Sequence, residues 1–239
     1  MNIKRKRKTN KPLVNQAYDF LKEKMINLEL PPGMKLEEKD LMDMLNLGRT
    51  PIREAVKMLI SVGLIVSYGA NATYVKNVTL KSARDQRQFV NSLGIVAFDL
   101  ASPHKDFSDI IQELESIYQK MDESIEKSDI KAFAMLNAEF HKTLAKVADN
   151  EFIDDAFERV YFFEARQGII VSLSLGEKKG TQFLQYYQTI QKHHRGFIEY
   201  LQKRDFEKLK QIYREHMAII QERLSSYFKG NITLVQKRT

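Results

Sequence analysis

The chain has 239 residues, 43% of them hydrophobic, with 38 Lys and Arg against 31 Asp and Glu and no cysteine. That length and apolar content suit one large globular domain or two modest ones, and the lack of cysteine excludes disulfides and thiolate metal or redox sites, as fits a reducing compartment. The net charge of +7 is unevenly spread, because residues 1–78 hold 14 basic and 8 acidic side chains while 79–239 hold 24 and 23.

Six of the 14 basic residues (Lys4, Arg5, Lys6, Arg7, Lys8 and Lys11) crowd into residues 1–11, and without them the first segment balances at 8 against 8. This tail reads as a basic disordered arm, either merely solvated or touching phosphates in a salt-dependent way. It is followed by Thr9-Asn10-Lys11-Pro12 rather than an apolar stretch, so no secretory signal is expected. No uninterrupted apolar run approaches the roughly 18 residues of a membrane span. The expectation is a soluble, cytoplasmic protein.

From residue 12 to about 28, Val14, Ala17, Leu21, Met25 and Leu28 recur at three- and four-residue steps, the mark of one buried helix face. Leu30-Pro31-Pro32-Gly33 stops that helix. A short helix is expected over about 37–46, with Leu41 and Leu45 inward. Leu47-Gly48-Arg49 then turns into a third helix, with Thr50 as its expected N-cap and Pro51 at the first helical position. Ile52, Ala55, Val56, Leu59 and Ile60 form its apolar stripe, while Arg49, Arg53 and Lys57 share another face. Gly63 ends it. Segments 64–68 and 73–78 flank Gly69-Ala70-Asn71-Ala72 and read as a β-hairpin wing.

After residue 78 the period is helical throughout. Helices are expected near 79–101, 106–126, 129–147, 151–175, 181–202 and 205–229, with Asp106, Asp129, Asn150 and Asp205 as N-caps. The fold class is therefore mainly α. An N-terminal winged helix-turn-helix (12–78) precedes an all-α antiparallel bundle of six or seven helices (79–229), and 230–239 form a frayed tail.

Three short helices and a wing, with cations along the third helix, make a coherent DNA reader. An α-helix fits the major groove, and an arginine at its start can donate two hydrogen bonds to guanine O6 and N7. On spacing alone, the same cations could simply solvate a helix face. In the second region Asn137 and His141 lie four apart on one helix, and His194 and His216 lie on the two helices that follow later. A bundle can converge such residues in its interior, and three imidazoles with one side-chain oxygen would suit a divalent metal. Spacing alone also allows partly buried structural histidines.

Leu30-Pro31-Pro32-Gly33-Met34-Lys35-Leu36, Leu41, Leu47-Gly48-Arg49-Thr50-Pro51-Ile52-Arg53-Glu54-Ala55 and Gly63-Leu64-Ile65 together resemble the GntR family of bacterial transcriptional regulators. The resemblance implies that Arg49 and Arg53 contact bases, that Thr50 meets phosphate, and that Lys39 stands where relatives often carry a further DNA-contacting arginine. Lysine keeps the charge there but loses the bidentate fork. Relatives place a glycine near the wing tip, where Ala72 is expected here, and alanine resists positive φ.

The region 79–229 is similar to the FCD effector-binding domain. Phe133-x-x-Leu136-Asn137-x-x-Phe140-His141-x-x-Leu144-Ala145, His193-His194-Arg195, Asp205 and His216 carry the similarity. It implies a metal held by Asn137, His141, His194 and His216, with His193 turned outward. The implied metal is a divalent ion such as Zn, Ni or Mn, and an asparagine in place of the family's aspartate removes one negative charge from the site. Arg87 resembles the arginine that reaches a carboxylate-bearing effector, although Asn91 replaces an acidic residue found in relatives, and a surface or interhelical salt-bridge role for Arg87 is an equal alternative. The aromatic run at 160–163 and Phe183, Tyr186 and Tyr187 read as core or dimer contacts rather than pocket lining.

The implied function is a ligand-responsive regulator, a repressor that binds an inverted-repeat operator as a homodimer and senses a small organic acid. Two alternatives are a DNA-binding protein whose second domain only dimerises, and a helical-bundle metalloenzyme. No Glu-x-x-His or His-Glu-x-x-His segment, phosphate-binding glycine loop or cysteine nucleophile supports the enzyme.

Overall fold

In a computed structural model the chain divides into two units, residues 1–77 and 78–239, of which residues 11–69, 72–173, 175 and 180–230 are described. The basic arm, the wing-tip residues Ala70 and Asn71, most of the break before Gly180 and the tail from Asn231 onward lie outside the described residues.

In the first unit, α1 (Leu13–Ile26) buries Ala17, Leu21, Met25 and Ile26. It ends two residues before the apolar pattern does, because Leu28 adopts a left-handed φ of 58°. The reversal sends the backbone N–H groups of Glu29 and Leu30 back to the Lys24 carbonyl and brings Leu30, not Leu28, into the core. Helix α2 (Glu38–Leu45) ends on Asn46, also left-handed, a conformation asparagine tolerates. Helix α3 (Arg49–Ser61) is capped at Gly48, so Thr50 lies within its first turn rather than at the N-cap. Pro51 still costs nothing, because it falls among the first four residues, whose N–H groups have no partner within the helix. Ile52, Ala55 and Leu59 are fully buried and Ile60 is 38% exposed, so the buried stripe is narrower than its apolar sequence suggests. Gly63, at φ 77°, makes the turn into the wing.

Strands β1 (Ile65–Tyr68) and β2 (Ala72–Val75) pair antiparallel, with Ile65 opposite Val75 and Tyr68 opposite Ala72. Ala72 thus sits in a strand, and among the described residues of the turn Gly69 is left-handed, at φ 67°. The second strand stops at Val75 rather than 78. Its other edge is covered by the segment before α2, where Leu36 N–H donates to Thr73 O (2.8 Å) and Val75 N–H to Met34 O (2.9 Å). Pairing on both sides protects the strand from exposed edge groups.

In the second unit, α4 (Leu80–Leu100) starts with a reciprocal capping box between Thr79 and Ser82. Then follow α5 (Ser108–Glu126), α6 (Ile130–Ala145) with a 3-10 turn behind it, α7 (Glu151–Leu173), α8 (Thr181–Gln202) and α9 (Phe206–Gly230). The side chains of Asp129, Asn150 and Asp205 each accept a backbone N–H of the helix they introduce. Asp106 does so for Ser108, with Phe107 standing between it and α5. Helix α6 packs between α5 and α7, and α9 packs against α4 and α8. Gly94 lets α4 and α9 approach, since a Cβ there would lie 2.5 Å from the Tyr213 ring. Phe183, Tyr186 and Tyr187 are core residues, while the run at 160–163 is half-buried. Among the described residues no helix is long and apolar enough to cross a membrane.

Candidate functional site

The start of α3 exposes Arg49, Thr50 and Arg53, and α2 exposes Lys39. Glu38, the first residue of α2, takes Arg49 Nε at 2.6 Å on one carboxylate oxygen and Arg53 Nε at 2.7 Å on the other. The hydrogen bond from Arg53, with the charges of both guanidiniums, holds the Glu38 carboxyl below the usual carboxylate range. Each arginine thus meets Glu38 through its Nε, whereas a guanine edge would be met by the two terminal amino groups. Lys57, further along α3, pairs with Glu54 of its own helix at 2.8 Å. Glu38 was not singled out in the sequence. The available signal was the balance of 8 basic against 8 acidic residues outside the tail, which supplies enough acids to pair with the arginines but does not say which.

In the second unit α6, α8 and α9 bring His141, His194 and His216 together, with one nitrogen from each within 4.8 Å of the others. All three are at most 1% exposed. Burial, reinforced by the charge of Arg87, pushes His141 down to about 3, and burial pushes His194 and His216 well below the ordinary histidine value. The rings are therefore neutral at neutral pH, the form that ligates metals.

His141 Nε2 lies 3.1 Å from His216 Nε2. Two nitrogens bonded to one ion at about 2.0–2.1 Å are separated by roughly 3 Å. His194 Nδ1 lies 2.9 Å from Gln191 Oε1, and the Gln191 amide is oriented by donating to Asp122 Oδ1 at 2.7 Å. A carboxylate only accepts, so Gln191 presents its oxygen to His194. His194 then carries its proton on Nδ1, and Nε2, a buried atom without a partner, keeps its lone pair. This is the outer-shell arrangement that orients metal-binding histidines. Three neutral buried imidazoles with converging nitrogens fit a divalent ion. Asn137, one turn before His141 on α6, is half-buried. His193 is half-buried, with its ring 5.8 Å from that of His216, and it is not among the three histidines that converge.

Arg87 on α4 is 4% exposed and acts electrostatically on His141, His216, Tyr186 and Tyr213. Its Nη1 reaches Glu164 Oε1 at 3.2 Å and its Nη2 reaches Gln167 Oε1 at 3.0 Å, both on α7. Burial raises the Glu164 carboxyl to about 7 against the opposing pull of Arg87. Neither Glu164 nor Gln167 was picked out in the sequence. They lie 77 and 80 positions from Arg87, and their helix carries many other polar residues.

Residues 13–75 match the family model for bacterial regulatory proteins of the gntR family, and residues 96–219 match the model for the FCD domain. A probable D-xylose utilization operon transcriptional repressor of Paenarthrobacter nicotinovorans is 26% identical over 63% of this chain and 66% of its own length. The HTH-type transcriptional repressor RspR of Escherichia coli K12 is 22% identical over 93% of each chain. Among solved structures, E. coli McbR/YncC superposes with a TM-score of 0.73 at 19% identity, covering 92% of this chain and 99% of that one. The two matched models join a DNA-reading helix-turn-helix to a helical domain spanning more than half of the sequence. The chain belongs to the GntR family of bacterial regulators, DNA-binding transcription factors rather than enzymes, in the branch that carries an FCD domain.

Proposed function

We propose that this regulator is a ligand-responsive repressor that binds an inverted-repeat operator as a homodimer. In this reading Arg49 and Arg53 read base edges, and Thr50 and Lys39 meet phosphates. His141, His194 and His216, with Asn137 as the oxygen donor, hold a divalent metal, and a small carboxylate bridges that metal and Arg87. The observation that carries the reading is the meeting of three neutral buried histidines with a buried arginine in the domain attached to the DNA reader. The repressor names of the relatives support the sign of regulation. The homodimer is supported by a stripe along α4, where Phe89, Val96 and Leu100 are 48%, 47% and 50% exposed. The carboxylate alters DNA binding only to the extent that it prefers one arrangement of the helical domain over the other.

Footprinting tests the DNA half. A protected palindrome is expected, and protection that persists in the Arg49→Ala, Arg53→Ala double variant sinks it. Elemental analysis of protein purified without chelator tests the metal. Stoichiometric metal that survives His141→Ala with His194→Ala rules out the ligand set. A second reading, in which the FCD domain dimerises but senses nothing, draws support from the fact that Arg87 is already paired with Glu164. In that case small carboxylates leave operator binding unchanged.

A further inference from the structure

We propose that Glu164 is an internal stand-in for the effector's carboxylate: it holds Arg87 in the unliganded protein and yields it to a small organic carboxylate. The inference rests on the effector reading above and names the group with which the effector competes.

The Arg87 guanidinium is 4% exposed, and a buried charge without an opposite charge beside it is strongly destabilising. Glu164, on the facing helix α7 and 3% exposed, supplies that opposite charge, but the pairing is poor. Well-formed arginine–carboxylate pairs are two-pronged, at about 2.7–2.9 Å. Here one oxygen meets one terminal nitrogen at 3.2 Å. The second carboxylate oxygen, Oε2, and the guanidinium Nε are both buried without a hydrogen-bond partner. Asn91 Oδ1, one turn along α4 from Arg87, is a third such atom. Arg87 Nη2 is engaged by a neutral amide, that of Gln167. A buried ion pair whose remaining donors and acceptors are unsatisfied recovers little of its desolvation cost.

An incoming carboxylate that forks onto Arg87 would supply the second hydrogen bond that Glu164 does not make. The displaced side chain also has an inexpensive way out. Burial has already raised its carboxyl to about 7, so once released from Arg87 it takes up a proton. The exchange balances in charge: one anion and one proton enter, and the cluster keeps its net charge. Arg87 is positioned to serve both groups, because its charge is felt at His141 and His216 of the histidine centre.

The test compares wild type, Glu164→Gln and Arg87→Gln by thermal shift and titration calorimetry with sodium acetate and sodium citrate. Sodium chloride at equal ionic strength is the control. Glutamine keeps the volume and removes the competing charge, so Glu164→Gln should bind the carboxylate about tenfold more tightly or better, with a larger thermal shift. Arg87→Gln should respond only as it does to chloride. Glu164→Asp, which retracts the carboxylate by one methylene, should lie between wild type and the glutamine variant, and it decides the matter if the glutamine variant does not fold. If wild type responds through Arg87 but removing or retracting the Glu164 carboxylate leaves affinity equal or weaker, the stand-in role is overturned and the effector reading stands. If no form responds to either carboxylate beyond chloride, both are overturned.

Discussion

Arg49 and Arg53 share a single carboxylate, and under the proposed function this bears on how they would read DNA. Glu38 is anionic and lies beside the face proposed to meet DNA, so a role in affinity alone would disfavour it. Holding two flexible guanidiniums by their Nε atoms reduces the rotamer freedom each must surrender on binding. Glu38→Ala is therefore expected to lower the ratio of operator to random-duplex affinity several-fold, by about 1 kcal/mol, while binding to the random duplex at low salt stays level or rises. Filter binding on both duplexes at two salt concentrations checks this, and an unchanged ratio would show that the clamp has no part in readout. Gln191 does a comparable job for His194. Gln191→Leu should weaken zinc binding by roughly 10-fold or more without loss of helicity, as read by competition with a colorimetric chelator. Glu164 adds a pH effect. Its folded value of about 7 lies above the ordinary 4.5, so between these values the folded chain binds more protons than the unfolded one. The stability this group contributes is present at low pH and is lost as pH rises through that window. The stability of wild type relative to Glu164→Gln should accordingly decline from pH 5 to 7.5 in urea titrations. The groups facing it are Arg87 of α4 and Tyr213 of α9.

At the scale of the element, local chemistry was legible chiefly where the relevant partners lie within one turn. Asp129, Asn150 and Asp205 bond the helix starts they introduce, whereas the capping box of Thr79 with Ser82 was found only in the structure. Thr79→Ala should cost about 1 kcal/mol. Gly94→Ala should cost about 1–3 kcal/mol, because its Cβ would meet the buried Tyr213 ring and force apart two packed helices. Equilibrium unfolding distinguishes these from neutral changes. The misreadings of the apolar stripes share one cause. Leu28 and Ile60 continue an apolar period, but a helix buries only the arc its neighbours cover. The chain reversal after α1 removes Leu28 from that arc, and Ile60 falls outside it. Thr50 has the chemistry of an N-cap, yet the preceding Gly48 takes the extended conformation first.

At the scale of the whole molecule, two reading heads on one palindrome require two copies. If the exposed α4 stripe joins them, Phe89→Glu with Val96→Glu should give a monomer in sedimentation and abolish protection of a full palindrome. A dimer that persists would exclude this face. Removing metal should also lower global stability, since an ion bound only by the folded state adds to folding free energy, about 2.7 kcal/mol at a hundredfold excess over its dissociation constant. Chelation should lower the melting temperature and zinc should restore it. Absence of both effects would mean that the three histidines are structural.

The amino-acid order alone was enough for a winged helix-turn-helix followed by a helical domain, and for the three histidines that converge, because helical period, caps and turn residues act over a few positions and His141, His194 and His216 each stand in a segment that resembles the FCD domain. The packed structure was needed for the partners of the charged residues: Glu38 across 11 and 15 positions from Arg49 and Arg53, Glu164 across 77 from Arg87, and Gln191 across 69 from Asp122. Charge and hydrogen-bonding capacity are properties of single residues, and many in this chain could have served. Which acid neutralises which base is decided only when the helices that carry them are brought face to face and water is removed from between them.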